Sequence, residues 1–187
     1  MHSRIGQRIM IVGVSGSGKT TLACALADRF QLPHIELDRL FWQTDWQQTP
    51  DDEFEQKIQD ALSLAGESWV ICGNYRRTMT ITWPIADTLI WLDYPRHLVY
   101  WRIFWRTVKR IITREKLWQG NRESFRKAFL SRDSILLWVW KTYPKRRQRY
   151  NAIIANNEFP NLQVLVFYHP HETDHWLKHL KRKPHEI

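Results

Sequence analysis

The run Gly13-Val14-Ser15-Gly16-Ser17-Gly18-Lys19-Thr20 satisfies the pattern G-x-x-x-x-G-K-[ST] without a mismatch. No other segment dictates as much about the fold. Such a loop works only between a buried strand and a helix: its glycines turn successive backbone N–H groups toward an anion, and the helix N-terminus adds its dipole. Both flanks are present. Arg8-Ile9-Met10-Ile11-Val12 is a short β-branched run of the buried parallel-strand type, and Leu22, Ala25, Leu26 and Phe30 follow at helical spacing from Thr21 on. Gly13, Ser15, Gly16, Ser17, Gly18, Lys19, Thr20 and Thr21 are therefore expected to cradle nucleotide phosphates, with Lys19 on the outer phosphates and the Thr20 hydroxyl on Mg²⁺.

The alternation continues down the chain. His34-Ile35-Glu36-Leu37, ending at Asp38, Trp69-Val70-Ile71-Cys72, Thr88-Leu89-Ile90-Trp91-Leu92 and Leu162 to Phe167 read as further strands. Thr49-Pro50-Asp51-Asp52-Glu53 reads as a helix start, with Phe54, Ile58, Ala61, Leu62 and Ala65 as its buried stripe. A long helix is expected after Pro95, a break near Gln119-Gly120-Asn121, another helix opening at Pro144, and a last one from Thr173 to Leu180. Strands alternating with helices predict an α/β fold of three layers, a parallel sheet covered on both faces, with the ligand beyond the C-terminal strand ends. That edge would collect the loop, Asp38, Gly73-Asn74 and Asp93. At 187 residues and 43 % hydrophobic, residues 1–187 suit a single domain. No apolar run approaches the roughly 18 residues of a membrane span, and a cytoplasmic location is expected. Cys24 and Cys72 are read as buried thiols, without a disulfide or a structural zinc.

Charge is unevenly placed. Residues 96–150 hold 16 of the 28 Lys and Arg but 3 of the 19 acids, a local balance of +13 within a net +9. Arg102, Arg106, Lys109, Arg110 and Arg114 share one helix face, and Trp101, Phe104, Trp105, Val108, Ile111 and Ile112 are expected to turn the other face to the core. Two uses fit the basic stripe: a lid that closes on ATP, or a surface for nucleic-acid phosphates extended by Lys145-Arg146-Arg147 with Arg149, which would make the chain a nucleotide-regulated nucleic-acid-binding protein with little or no turnover; an anionic membrane surface is a variant of the second. Trp69, Trp91, Trp138 and Trp140 are expected in the core, and Trp42 and Trp46 in a loop beside an acceptor pocket.

Together with the loop, Leu37-Asp38-Arg39-Leu40-Phe41-Trp42 followed by Trp46, Gly73-Asn74-Tyr75-Arg76, and Ile90-Trp91-Leu92-Asp93-Tyr94-Pro95 resemble the adenylate-kinase-related bacterial proteins labelled DNA topology modulation or FlaR-type proteins. The layout is more distantly similar to nucleoside monophosphate kinases and shikimate kinases. This resemblance implies a P-loop NTPase with a five-stranded parallel sheet of the nucleoside-monophosphate-kinase type, a helical basic lid over about 96–143, and ATP with Mg²⁺ as the bound species. It implies that Asp38 and Trp42 lie in the acceptor region, that Asn74 and Arg76 grip the acceptor, and that Arg102, Arg106 and Arg110 fold over the ATP phosphates. The expected activity is transfer of the γ-phosphate to a small molecule, with Lys19 and the arginines stabilising charge and Asp38 taking the acceptor proton. The sequence departs from the pattern at Cys72, where related kinases carry a metal-side Asp. A thiol suits Mg²⁺ poorly, so either Asp38 or Asp93 is expected beside Thr20, Asp93 if the fourth strand adjoins the loop strand, or metal-dependent turnover is weakened. Asn74-Tyr75-Arg76 in place of Phe-Pro-Arg argues against AMP as acceptor.

Overall fold

The computed structural model describes residues 4–124 and 134–182. In chain order the elements are β1 (Arg4–Ile5), β2 (Arg8–Gly13), α1 (Lys19–Phe30), β3 (His34–Glu36), α2 (Leu37–Phe41), α3 (Asp51–Ala65), β4 (Trp69–Cys72), α4 (Met79–Thr82), β5 (Thr88–Leu92), α5 (Arg96–Thr113), α6 (Ile135–Ala155), β6 (Gln163–Phe167), α7 (Pro170–His179) and β7 (Lys181–Arg182). Single 3-10 turns cover Thr44–Trp46 and Trp118–Gly120.

Five parallel strands lie in the order β3-β4-β2-β5-β6, with Ile11 paired to Cys72 on one side and to Ile90 on the other. Because the strands are buried on both faces, alternate residues feed two cores. Ile9 and Ile11 pack with Leu22 and Leu26 of α1, Val99 and Ile103 of α5 and Trp176 of α7. Met10 and Val12 pack with Phe54 and Ile58 of α3 and with Trp83 beyond α4. The result is the three-layer α/β/α fold expected, with the loop strand at its centre.

α6 differs from the expectation. Its Val139 belongs to the first core and its Tyr150 and Ile153 to the second, so it crosses from one layer to the other. Pro144 lies inside this one helix and does not open another. Proline removes one backbone hydrogen bond from a helix interior. Anchors on both sides of it, Val139 before and Tyr150 after, keep the helix continuous.

Other corrections are local. The strand expected through Leu37 stops at Glu36, which places Asp38 in the first turn of α2. The last helix starts earlier, at Pro170, because His169 and Glu172 form a capping box. β1 and β7 pair as a separate two-stranded ribbon too short to leave a sequence signal. Cys24 is exposed. Trp69 and Trp91 are buried as expected, whereas Trp138 and Trp140 are 41 % and 55 % exposed. The apolar face of α5 is also turned outward, with Trp101 at 61 %, Trp105 at 50 % and Ile112 at 76 % exposure. The part of the expected lid at 125–133 lies outside the described residues.

Ile71, fully buried in a strand paired on both sides, is a test of this core. Ile71→Ala should cost roughly 2–5 kcal/mol, read as a lower midpoint in urea unfolding with an unchanged slope.

Candidate functional site

The site is built around a loop that cannot hold its own shape. β2 ends at Gly13 and α1 begins at Lys19. Between them Gly16 has φ +80° and Gly18 φ +95°, conformations that a side chain resists. A Cβ on Gly16 would also lie 2.5 Å from Ile103 Cγ1 and 3.2 Å from the Val99 carbonyl, so α5 rests directly on the loop. Asn74, just past β4, clamps the other end. Its Oδ1 accepts from the Gly13 N–H at 3.1 Å, and its Nδ2 donates to the Gly13 carbonyl. Tyr150 of α6 donates to the same Oδ1 at 3.1 Å and fixes the amide.

Charge at the loop is positive and poorly solvated. Lys19 Nζ donates to the Val14 carbonyl at 3.1 Å. Burial pushes its pKa down to about 8, with Asp38 pulling the other way. Ser17 Oγ and Arg106 Nε are buried and lack a hydrogen-bond partner among the described residues. Orphaned donors, a desolvated ammonium and a helix N-terminus are what a phosphate chain would satisfy.

Thr20 meets a carboxylate that the sequence reading passed over. Its hydroxyl donates to Glu36 Oε1 at 3.1 Å, while Cys72 Sγ lies 3.9 Å from Thr20 Oγ1. Burial pushes Cys72 up to about 12, so it stays a neutral thiol, 3.2 Å from His34 Nε2. Asp93 is not the residue that meets Thr20. It follows β5, and its buried carboxylate accepts from the half-exposed Arg147 at 2.9 Å between Nε and Oδ2. The described residues hold no cluster of three His, Cys, Asp or Glu able to bind an ion alone. Thr20 and Glu36 offer two hard oxygens, which fits Mg²⁺ when phosphate and water complete the octahedron. The sequence alone does not single out Glu36: it ends a strand whose pairing with β4, opposite Cys72, is set by the sheet order.

On the acceptor side, Asp38 Oδ1 accepts from Tyr75 Oη at 2.5 Å. Burial and the Asp38 charge hold the Tyr75 phenol well above its ordinary pKa, so it remains a donor. Trp42 packs edge-on against Phe41 at 5.0 Å and Trp46 at 5.5 Å. It lines a cleft of about 610 Å³ with Arg39, Lys57 and Leu64 that includes neither Lys19 nor Asp38. Arg76 is exposed, and Asn74 is engaged by Gly13 as described.

Of the three arginines expected over the phosphates, two reach the loop. Arg106 Nη2 is 3.4 Å from Ser15 Oγ, and burial lowers its pKa. Arg102 Nη1 stands 3.7 Å from the position a Cβ on Gly18 would take. Arg110 instead pairs with Glu123 at 3.1 Å and Glu115 at 3.6 Å. That pairing holds down the segment after α5, where Trp118 Nε1 donates to Glu36 Oε2 at 3.0 Å and Asn121 Nδ2 donates to the Gln43 carbonyl at 2.8 Å. A further cation, Arg146 of α6, was submerged in the basic run 145–149. Burial lowers its pKa, and the nearby Asp38 charge opposes that shift.

No family model and no curated protein matches the sequence. Solved structures do. A shikimate kinase from Bacteroides thetaiotaomicron superposes with a TM-score of 0.52 at 16 % identity, covering 92 % of this chain and 94 % of its own. A gluconokinase from Sinorhizobium meliloti 1021 gives 0.51 at 17 % identity, covering 94 % and 92 %. The chain therefore has the fold of the P-loop kinases.

With a pKa near 8, the Lys19 ammonium of the free protein is lost above about pH 8, which would set a pH limit on phosphate binding through it. Affinity for ADP or ATP, followed by calorimetry, should hold below pH 8 and fall by up to about tenfold per pH unit above it. Lys19→Arg, which stays charged, should flatten that decline.

Proposed function

We propose that the protein binds Mg²⁺-ATP at the loop and transfers its γ-phosphate to a hydroxyl of a small-molecule acceptor. One observation carries this reading: Asp38 is close enough to Lys19, Arg106 and Arg146 for its charge to raise the pKa of each. A carboxylate within electrostatic reach of three cations, just past a C-terminal strand end, suits phosphoryl transfer. The fold shared with the shikimate kinase and the gluconokinase agrees with it, as does the likeness of the quoted motifs to FlaR-type proteins.

In this reading the loop N–H groups and Lys19 hold the β- and γ-phosphates. Tyr75 orients Asp38 through Oδ1, leaving Oδ2 to take the acceptor's hydroxyl proton. The acceptor oxygen bonds to the γ-phosphorus as the bond to the ADP oxygen breaks. Arg102 and Arg106 neutralise charge on the transferred group, and Arg146 faces the acceptor. Mg²⁺, held by Thr20 and Glu36, would offset phosphate charge throughout. AMP fits poorly as acceptor, since Asn74 is occupied and Arg76 lies exposed.

The test is incubation with γ-labelled ATP, Mg²⁺ and a panel of nucleosides, sugars and hydroxy acids. A labelled product is expected, and its absence across the panel, with ATP bound, would refute transfer to these acceptor classes. Lys19→Ala should abolish the product, and Asp38→Asn should lower kcat by about 10²–10⁴-fold while ATP still binds. Glu36→Gln should raise the Mg²⁺ needed for half-maximal turnover by roughly tenfold or more. An unchanged metal titration would remove Glu36 from this role.

A further inference from the structure

α5 is two-sided in an unusual sense. Its arginines face inward: Arg102 and Arg106 reach the loop, and Arg110 is paired with Glu123. Its outward side carries Trp101, Trp105 and Ile112, exposed by half or more. The rings of Trp101 and Trp105 meet at 5.5 Å, and Phe104 meets Trp105 at 5.5 Å. The exposed Trp140 of α6 joins the same surface through Tyr100, 5.7 Å away between ring centres. Exposed lysines border the patch: Lys109 lies one helical turn from Trp105, and Lys141 is adjacent to Trp140. Neither Arg96–Thr113 nor Ile135–Ala155 contains a single acid.

We propose that this aromatic and lysine face is a peripheral docking surface for a bilayer containing anionic phospholipid. Tryptophan settles at the boundary between headgroups and acyl chains, where its ring is buried and its N–H stays wet. Flanking lysines, Lys109 and Lys141, extend to the headgroups, and two helices without an acid leave this face positive, which complements anionic lipid. An amphipathic helix lying in the interface plane is the corresponding geometry. The same lysines, with no acid on either helix to meet them, oppose a second copy of this face. A nucleic acid is disfavoured because the arginine stripe that would meet its phosphates is turned onto the loop. No described helix is long and apolar enough to cross a membrane, so the contact is superficial. This inference does not depend on phosphoryl transfer.

The experiment is flotation of the full chain with phosphatidylcholine vesicles and with vesicles that also contain phosphatidylglycerol, read alongside tryptophan emission. Co-flotation with a blue shift is expected only with phosphatidylglycerol present, and weaker at high salt. Trp101→Ser with Trp105→Ser should reduce partitioning by roughly tenfold or more. Lys109→Glu, which removes no packing, should also reduce it. These side chains are exposed, so the far-ultraviolet dichroism and thermal midpoint should be retained; if the double variant unfolds, Lys109→Glu alone carries the test. Absence of flotation with phosphatidylglycerol, or equal flotation of the folded variants, overturns the proposal. So does self-association in sedimentation that the tryptophan variant abolishes, or duplex-DNA binding lost with the same substitutions while lipid binding is absent.

Discussion

A loop that must offer bare N–H groups to an anion has no side chains to spare for its own support, so its shape is imposed by its neighbours. Asn74 takes the Gly13 N–H and carbonyl together, and Ile103 with the Val99 carbonyl closes over Gly16. These braces come from the end of β4 and from α5, and Tyr150 of α6 steadies the first of them. Three distant parts of the chain thus converge on one turn. The desolvation that lowers the Lys19 pKa follows from that enclosure.

The same convergence explains the orientation of α5. Helices usually turn apolar residues to the core and cations to water. Here the fully buried positions of this helix are Val99, Ile103 and Thr107, with Leu98 and Tyr100 packed partly against the core. The neighbouring inward positions face a site built for negative charge, so arginines occupy them. Bulk apolar residues are left on the outside. The helix obeys the local chemistry of what it covers, and amphipathicity alone reads it backwards.

Much of the fold was legible because buried parallel strands write short apolar, β-branched runs bounded by turn residues. β2, β4, β5 and β6 were found this way to within a residue, and the glycine-lysine loop placed β2 before α1. Pro144 misled because a proline's local cost says nothing of the tertiary anchors that outweigh it. Trp138 and Trp140 misled because an apolar helical run has no unique inward side until the core it meets is known. They instead lie under guanidinium groups, Arg146 at 4.5 Å from the Trp138 ring centre and Arg96 at 3.3 Å from that of Trp140. In the site, Asp38 was readable from its place after a strand. Glu36 was not, because its meaning depends on the sheet order that puts β3 beside β4 and so brings it to Thr20.

The amino-acid order by itself determined the layered architecture and the identity of the phosphate loop, since both arise from interactions within a few residues: strand propensity, helix periodicity and glycine's freedom at positive φ. Only the tertiary structure decided which carboxylate faces Thr20, which arginines reach the loop, and which side of α5 is buried. Those outcomes depend on register and packing between segments far apart in sequence, where the free energy belongs to the contact and neither partner carries it alone.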